Sequence, residues 1–354
     1  MLQVTHLTKH FPVTTKPHRW LGSQTQAQAL HAVDDLSLTL QPGESVGLVG
    51  ESGCGKSTLI RLIVRLLEPT AGQILFDGAD ISQVSVGDFA HSPHRAQLQM
   101  VFQDPGDSLN PRFTAFDTIA EPIRRLGSKP DRQRLRQRTT ELAQQVGLPP
   151  DLLSRFPHQL SGGQKARVGI ARAIALNPTL LILDEPTSAL DVSVQAVILH
   201  LLAELRQRLN MSYLFVSHDL NVVRLLCDRI LVMYLGKLVE TGPVDDIFNH
   251  PRHPYTQALI SAIPSFAATP DRMSLTGEPR SPINPSPHVC RLYGRCPRGD
   301  DRCQQVAPEL RPVHTAGQSP HGQSPDRQNA GRHKTGRQNT DHQVACHYPD
   351  ALRA

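Results

Sequence analysis

Gly50-Glu51-Ser52-Gly53-Cys54-Gly55-Lys56-Ser57 decides the reading of this chain. It follows the pattern G-x-x-x-x-G-K-[ST] of a loop that binds nucleotide phosphates. The flanking residues supply the context the pattern needs. Ser45-Val46-Gly47-Leu48-Val49 is a short apolar run suited to a buried strand, and Ser57-Thr58-Leu59-Ile60-Arg61-Leu62-Ile63 opens an amphipathic helix. A glycine-rich turn between strand and helix points successive backbone N–H groups inward and makes an anion cradle at the positive end of the helix. Lys56 is expected to reach the β- and γ-phosphates, and Ser57 to place its hydroxyl on Mg²⁺.

Working outward, the chain has 354 residues and a formal net charge of +5. That length suits one main domain with an appendage. No run approaches ~18 consecutive apolar residues, so no membrane span is expected. The first residues lack the charged and apolar regions of a signal peptide, which suggests a cytosolic protein. The charge excess lies mainly in Arg124 to Arg138 and Arg311 to Arg337, polar stretches rather than a basic face, so nucleic acid is not an expected partner.

The opening residues read as strands at Gln3 to Leu7, His31 to Val33 and Leu36 to Leu40, with a polar exposed loop from Pro12 to Ala29. Gly72 to Gly78 reads as a further strand with a turn, completing an antiparallel sheet. From about Asp104 the pattern turns helical and charged. Strand–helix alternation then resumes: strand Leu180 to Leu183, helix Ser193 to Leu209, strand Ser212 to Val216, helix Leu220 to Cys227, and a hairpin of Arg229 to Tyr234 with Lys237 to Glu240. Such alternation predicts an α/β fold with a parallel sheet. The stretch of about 311–340 has too little apolar content to fold alone and reads as a disordered insertion.

Two further stretches carry chemistry. The run Leu180 to Leu183 leads into Asp184-Glu185, an acidic pair at the C-terminal end of a buried strand, where an α/β sheet presents residues to a nucleotide. Asp184 suits Mg²⁺, and Glu185 suits a base that orients or deprotonates the attacking water. Leu160-Ser161-Gly162-Gly163-Gln164 precedes a helix over Lys165 to Leu176. Ser161 stands at its N-cap, and the glycines allow close approach of a phosphate. The chain thus holds a second anion site, which one nucleotide does not need in the same subunit.

With these residues in view the chain resembles ATP-binding cassette (ABC) ATPases. Leu160 to Gln164 is similar to their signature motif, and the other motifs stand in the family's order. The resemblance implies that Gln103 is the Q-loop glutamine that contacts Mg²⁺. It makes Ser188-Ala189-Leu190-Asp191 the D-loop and His218 the switch histidine on the γ-phosphate. The cofactor-binding set it implies is Gly50, Glu51, Ser52, Gly53, Cys54, Gly55, Lys56, Ser57 and Thr58, with Ser161, Gly162, Gly163, Gln164 and Asp191 serving a partner's nucleotide. Phe11, or else Trp20, is expected to stack on adenine. The implied fold is a P-loop NTPase (RecA-like) parallel core with an antiparallel β subdomain and an inserted α-helical subdomain at about 104–177. This nucleotide-binding domain spans 2–264, and a Cys-containing tail spans 265–354. The signature is followed by Lys165-Ala166-Arg167 rather than the more usual basic-Gln-Arg.

A finer resemblance is to the ATPase subunits of dipeptide/oligopeptide and related nickel importers. It rests on Phe102-Gln103-Asp104-Pro105, Ser108 to Pro111, His253-Pro254-Tyr255-Thr256-Gln257-Ala258-Leu259 and the cysteine tail. It implies a subunit at the cytoplasmic face of the inner membrane. The implied partners are two permease subunits, a second ATPase subunit (the same chain or a paralogue) and an extracytoplasmic solute-binding protein. A soluble ABC ATPase of DNA repair or translation is the alternative, and an exporter cassette is disfavoured by the tail. Cys290, Cys296, Cys303 and Cys346 leave three readings open: a [4Fe–4S] cluster, structural zinc without the usual paired C-x-x-C, and free thiols.

Overall fold

The computed structural model describes residues 1–13, 28–104, 106–127, 130–263, 273–313 and 342–349. Two long strands, β1 (Leu2–Val13) and β2 (Gln28–Leu40), pair antiparallel from Leu2 with Leu40 to Val13 with Gln28. β3 (Ser45–Val49) is buried throughout, and the glycine-rich loop after it opens α1 (Lys56–Ile63). β4 (Ala71–Phe76) and β5 (Ala79–Asp80) complete a four-stranded antiparallel sheet in the order β2-β1-β4-β5. One-turn helices α2 (Val86–Phe89) and α3 (His94–Gln97) lead to β6 (Leu98–Val101). Three longer helices follow: α4 (Ala115–Leu126), α5 (Arg132–Gln145) and α6 (Gly162–Ile174).

The alternating part of the chain then builds the central sheet. It runs through β7 (Leu180–Asp184), α7 (Val192–Leu209), β8 (Ser212–Val216), α8 (Leu220–Leu226), β9 (Arg229–Tyr234) and β10 (Lys237–Pro243). Helices α9 (Val244–Asn249), α10 (Pro254–Ser261) and α11 (Asp301–Gln305) precede two-residue strands β11 (Arg311–Pro312) and β12 (Gln343–Val344). The sheet order is β11-β12-β10-β9-β3-β8-β7-β6, parallel from β6 to β9.

Continuous apolar runs explain the parallel centre, since such strands are covered on both faces. β7 divides its side chains by alternation. Leu181 and Leu183 join the core shared with α4 to α7, while Leu180 and Ile182 join the core against α1 and the antiparallel sheet. The helix α8 comes so close to β3 that a Cβ on Gly47 would stand 2.4 Å from Val223 Cγ1.

Two expectations are corrected. The exposed loop does not begin at Pro12: Phe11, Pro12 and Val13 pair with Leu30, Ala29 and Gln28, and the remainder, 14–27 with Trp20, lies outside the described residues. The segment read as disordered from about 311 begins with Arg311–Pro312 in the sheet, paired with Val344 and Gln343, while 314–341 lie outside the described residues. Through β12, residues near the C-terminus add a strand to β10. Among the described residues no helix is long and apolar enough to cross a membrane.

Candidate functional site

The pocket over the phosphate loop is lined by Ser52 to Thr58, by Phe11, Leu30, His31 and Ala32 from the antiparallel hairpin, by Gln103 and Glu185, and by Leu235, Gly236 and Pro282. The loop needs its glycines. Gly55 caps α1 at φ 108°, a left-handed conformation, and a Cβ there would lie 2.1 Å from the Ala32 carbonyl oxygen. With Gly55 at the cap, no side chain bonds the first amides of α1, and they remain for an anion. Lys56 is nearly buried, and its Nζ donates to the carbonyl oxygens of Gly50 (2.7 Å) and Glu51 (3.0 Å), so the ammonium stands over the loop.

Three loops at the C-terminal ends of β6, β7 and β8 meet at one carboxylate oxygen. Gln103 Nε2 donates to Glu185 Oε2 at 3.2 Å, and His218 Nδ1 stands 3.2 Å from the same oxygen. Glu185 reaches that point from a left-handed backbone, φ 44° in a non-glycine residue, a strained state of the kind that collects at functional sites. Its N–H is held by the Val216 carbonyl at 3.0 Å. Asp184, one residue back, is almost fully buried. Burial first, and the Glu185 charge second, push its carboxyl pKa up to about 6, against the pull of Arg61 and Lys56.

Ser161 to Gln164 do not line this pocket. Ser161 Oγ accepts from the Gln164 N–H at 3.3 Å, and Gln164 Oε1 accepts from the Ser161 N–H at 2.9 Å, closing a capping box at the start of α6. The two glycines have a packing reason of their own: a Cβ on Gly163 would stand 2.7 Å from Val194 Cγ1, and one on Gly162 would stand 3.2 Å from Leu190 Cδ2. Within the chain Asp191 is the N-cap of α7, accepting from the Val194 N–H (2.9 Å) and the Ser193 hydroxyl (2.7 Å), which hold its carboxyl below the ordinary range.

The four tail cysteines come together. Cys290, Cys296, Cys303 and Cys346 line one small pocket with His253, Leu292, Tyr293 and Tyr348, and all are free thiols. The Cys290 N–H donates to the Cys303 carbonyl at 2.9 Å. Burial raises each thiol, that of Cys290 to about 11. No three of the sulfurs lie mutually within 4.8 Å. The tail's part in the nucleotide pocket, through Pro282, had no signal in the sequence, because the contact joins β2 to residues some 250 positions away.

Comparison with known proteins finds two matching families. Residues 33–188 match the family described as ABC transporter, and residues 239–303 match the family described as oligopeptide/dipeptide transporter, C-terminal region. The chain is 47% identical over 315 residues to the probable peptide ABC transporter ATP-binding protein y4tS of Sinorhizobium fredii, covering 88% of this chain and 87% of that one. It is 45% identical over 315 residues to the oligopeptide transport ATP-binding protein AppF of Bacillus subtilis, covering 88% and 93%. Among solved structures, the dimeric post-hydrolysis state of the cassette MJ0796 bound to ADP and Pi matches with TM-score 0.60 and 28% identity. That match spans 69% of this chain and 99% of the other. The chain belongs to the ABC transporter family: it is an ATP-binding, ATP-hydrolysing cassette with the C-terminal region of the oligopeptide/dipeptide branch.

Proposed function

We propose that this chain is the ATP-hydrolysing subunit that powers import of di- or oligopeptides through an inner-membrane permease complex. The observation that carries the chemistry is the convergence of Gln103 and His218 on Glu185 Oε2 at the mouth of the phosphate loop. Lys56 neutralises β- and γ-phosphate charge, the loop amides hold the phosphate oxygens, and Phe11 stacks on the adenine. Glu185 orients or deprotonates the attacking water, and His218 holds the γ-phosphate.

The donor set suits magnesium. Ser57, Gln103 and Asp184 offer hydroxyl, amide and carboxylate oxygens, and the raised pKa of buried Asp184 is what a nearby divalent cation would lower. When bound, Mg²⁺ supplies charge neutralisation at the β- and γ-phosphate oxygens.

The position of the signature residues supports a two-cassette assembly. Ser161, Gly162, Gly163, Gln164 and Asp191 lie outside this chain's own nucleotide pocket, as residues serving a partner's nucleotide should. The partners are a second cassette, two permease subunits and a solute-binding protein, with the chain peripheral on the cytoplasmic face. Peptide rather than nickel or another solute follows the names of the relatives and the matched C-terminal region.

The cysteine quartet fits an iron–sulfur cluster better than single zinc. One zinc ion draws its sulfurs to about 3.8 Å of one another, from a Zn–S length of about 2.3 Å. A four-iron cube puts each thiolate on its own corner and takes them further apart. Cys290, Cys296, Cys303 and Cys346 would hold it.

Cells lacking this chain test the proposal. Uptake of labelled di- and oligopeptides should be lost and restored by the parent chain but not by Lys56→Ala. Unchanged peptide uptake together with lost nickel uptake would refute peptide as the solute.

A further inference from the structure

Residues 280–296 of the cysteine-bearing tail meet the nucleotide site twice: Pro282 stands in the pocket wall, and Arg295 binds Glu51 of the phosphate loop. At the first contact the backbone of Pro282 to Asn284 runs along the start of β2. Pro282 O accepts from the His31 N–H (2.9 Å), the Asn284 N–H donates to Ala29 O (2.9 Å), and Asn284 Oδ1 accepts from the Ala29 N–H (2.8 Å). This places Pro282 in the pocket wall beside Phe11 and His31. Next, Arg291, with only 9% of its side chain exposed, donates to Asp34 Oδ2. The other oxygen of Asp34 stands 3.7 Å from His10 Nε2 on β1 and 3.7 Å from His31 Nδ1 on β2. One guanidinium thereby ties the tail to the strands that carry Phe11 and His31.

The second contact is with the phosphate loop itself. Arg295, with 11% of its side chain exposed, forks onto Glu51: Nη1 donates to Oε2 at 3.1 Å and Nη2 to Oε1 at 3.3 Å. Nη1 also donates to the Tyr234 hydroxyl at 3.0 Å, and the guanidinium lies 5.8 Å from the centre of the Tyr234 ring. Glu51 is the second residue of the loop. Its N–H donates to the Tyr255 hydroxyl at 2.6 Å, and its carbonyl accepts from Lys56 at 3.0 Å. A two-pronged bond from a nearly buried arginine adds to these restraints and fixes the Glu51 side chain before nucleotide arrives.

The two arginines adjoin cysteines in the chain, Arg291 after Cys290 and Arg295 before Cys296. The same pocket of thiols therefore fixes where both guanidinium groups emerge. We infer that the cysteine-bearing tail is a positioning element of the ATP site, with Arg295 acting through Glu51 on the phosphate loop and Arg291 acting through Asp34 on the adenine side. This rests on the reading of the pocket as the site of MgATP.

The effect should fall on binding rather than on the chemical step, because neither arginine lines the pocket where Glu185 works. MgATP titration of the full chain, with steady-state hydrolysis alongside, tests it. Arg295→Met should weaken MgATP binding about 5- to 10-fold, about 1.0–1.4 kcal/mol, and raise KM similarly, with kcat held within about twofold. Glu51→Gln should weaken MgATP binding from the cassette side. The double variant should be no weaker than either single one, because both remove one interaction. Arg295→Lys should restore less than half of the loss, since an ammonium cannot fork onto both oxygens. Coupling also runs backwards: MgATP should slow amide hydrogen exchange in residues 290–296, and Arg295→Met should abolish that protection. Equal MgATP affinity in parent and both single variants, or strictly additive losses in the double variant, would overturn the inference. Should Arg295→Met not fold, Glu51→Gln decides alone, and parental MgATP affinity in it would refute the role of the fork. A parent chain that binds no MgATP would overturn the nucleotide reading as well, which separates the two failures.

Discussion

Replacing Glu185 by Gln changes one oxygen for one nitrogen at the point where three loops meet. Shape is kept, and the remaining amide oxygen can still face Gln103 Nε2 and His218 Nδ1, which both stand 3.2 Å from Oε2 in the parent. What is lost is the basicity and charge that, in the proposed role of Glu185, align water for attack. A positioned general base contributes roughly 10²- to 10⁴-fold, about 3–5.5 kcal/mol of barrier. Steady-state hydrolysis should therefore fall at least about a hundredfold. ATP binding should not fall with it, because Glu185 adds negative charge beside Asp184 and near the phosphates. Neutralising it removes one of the two causes that raise the Asp184 pKa and leaves that carboxylate more available to Mg²⁺. The assay is phosphate release from purified protein, with MgATP affinity by calorimetry on the same sample. Turnover above a tenth of the parent's would refute the assignment of Glu185, and lost ATP binding would refute the argument from charge.

Four further outcomes follow from the same geometry. Lys56→Ala should weaken ATP binding itself at least tenfold by calorimetry, since this ammonium stands over the loop carbonyls and neutralises phosphate charge. Ser161→Arg should leave ATP binding to the monomer unchanged but block ATP-driven dimerisation, measured by size exclusion with the Glu185→Gln background. Asp184 gives a pH signature: its folded pKa of about 6 lies above the ordinary carboxylate value of 3.8, so its contribution to stability is complete below about 4 and is lost as pH rises through about 6. Mg²⁺ competes with that proton, so the gain in Tm on adding Mg²⁺ should be larger at pH 7.5 than at pH 5, and Asp184→Asn should flatten the difference. Cys296→Ser in anaerobically purified protein should remove the brown colour of thiolate-ligated iron while ATP still binds; equal iron content in parent and variant would refute a shared cluster.

The elements that were legible in the sequence share one property, a signal confined to a few neighbouring residues. Ser45 to Val49, Ser212 to Val216 and Arg229 to Tyr234 each open on one polar residue and continue as an apolar run, and they became β3, β8 and β9 with those bounds. The N-cap at Ser161 is readable for the same reason, since it needs only Gln164 three residues on. What escaped depends on distant partners. Phe11 to Val13 join β1 only because Gln28 to Leu30 return beside them. Arg295 and Arg291 look like ordinary tail cations until the fold brings Glu51, 244 positions away, and Asp34, 257 away, into contact. Glycines are ambiguous in a different way. Gly162 and Gly163 suggested only room for a phosphate, whereas the fold also packs Leu190 and Val194 against them. The left-handed backbone of Glu185 had no local sign, because a glutamate does not advertise a positive φ.

On the proposed function, hydrolysis at Glu185 drives peptide across a membrane. The most direct test is uptake of radiolabelled oligopeptide into proteoliposomes holding the complete transporter, with MgATP on the side of this chain. ATP-dependent uptake is expected with the parent chain, and none with Glu185→Gln although nucleotide remains bound. Sustained uptake with Glu185→Gln, or ATP hydrolysis by the parent complex with no movement of peptide, would contradict it.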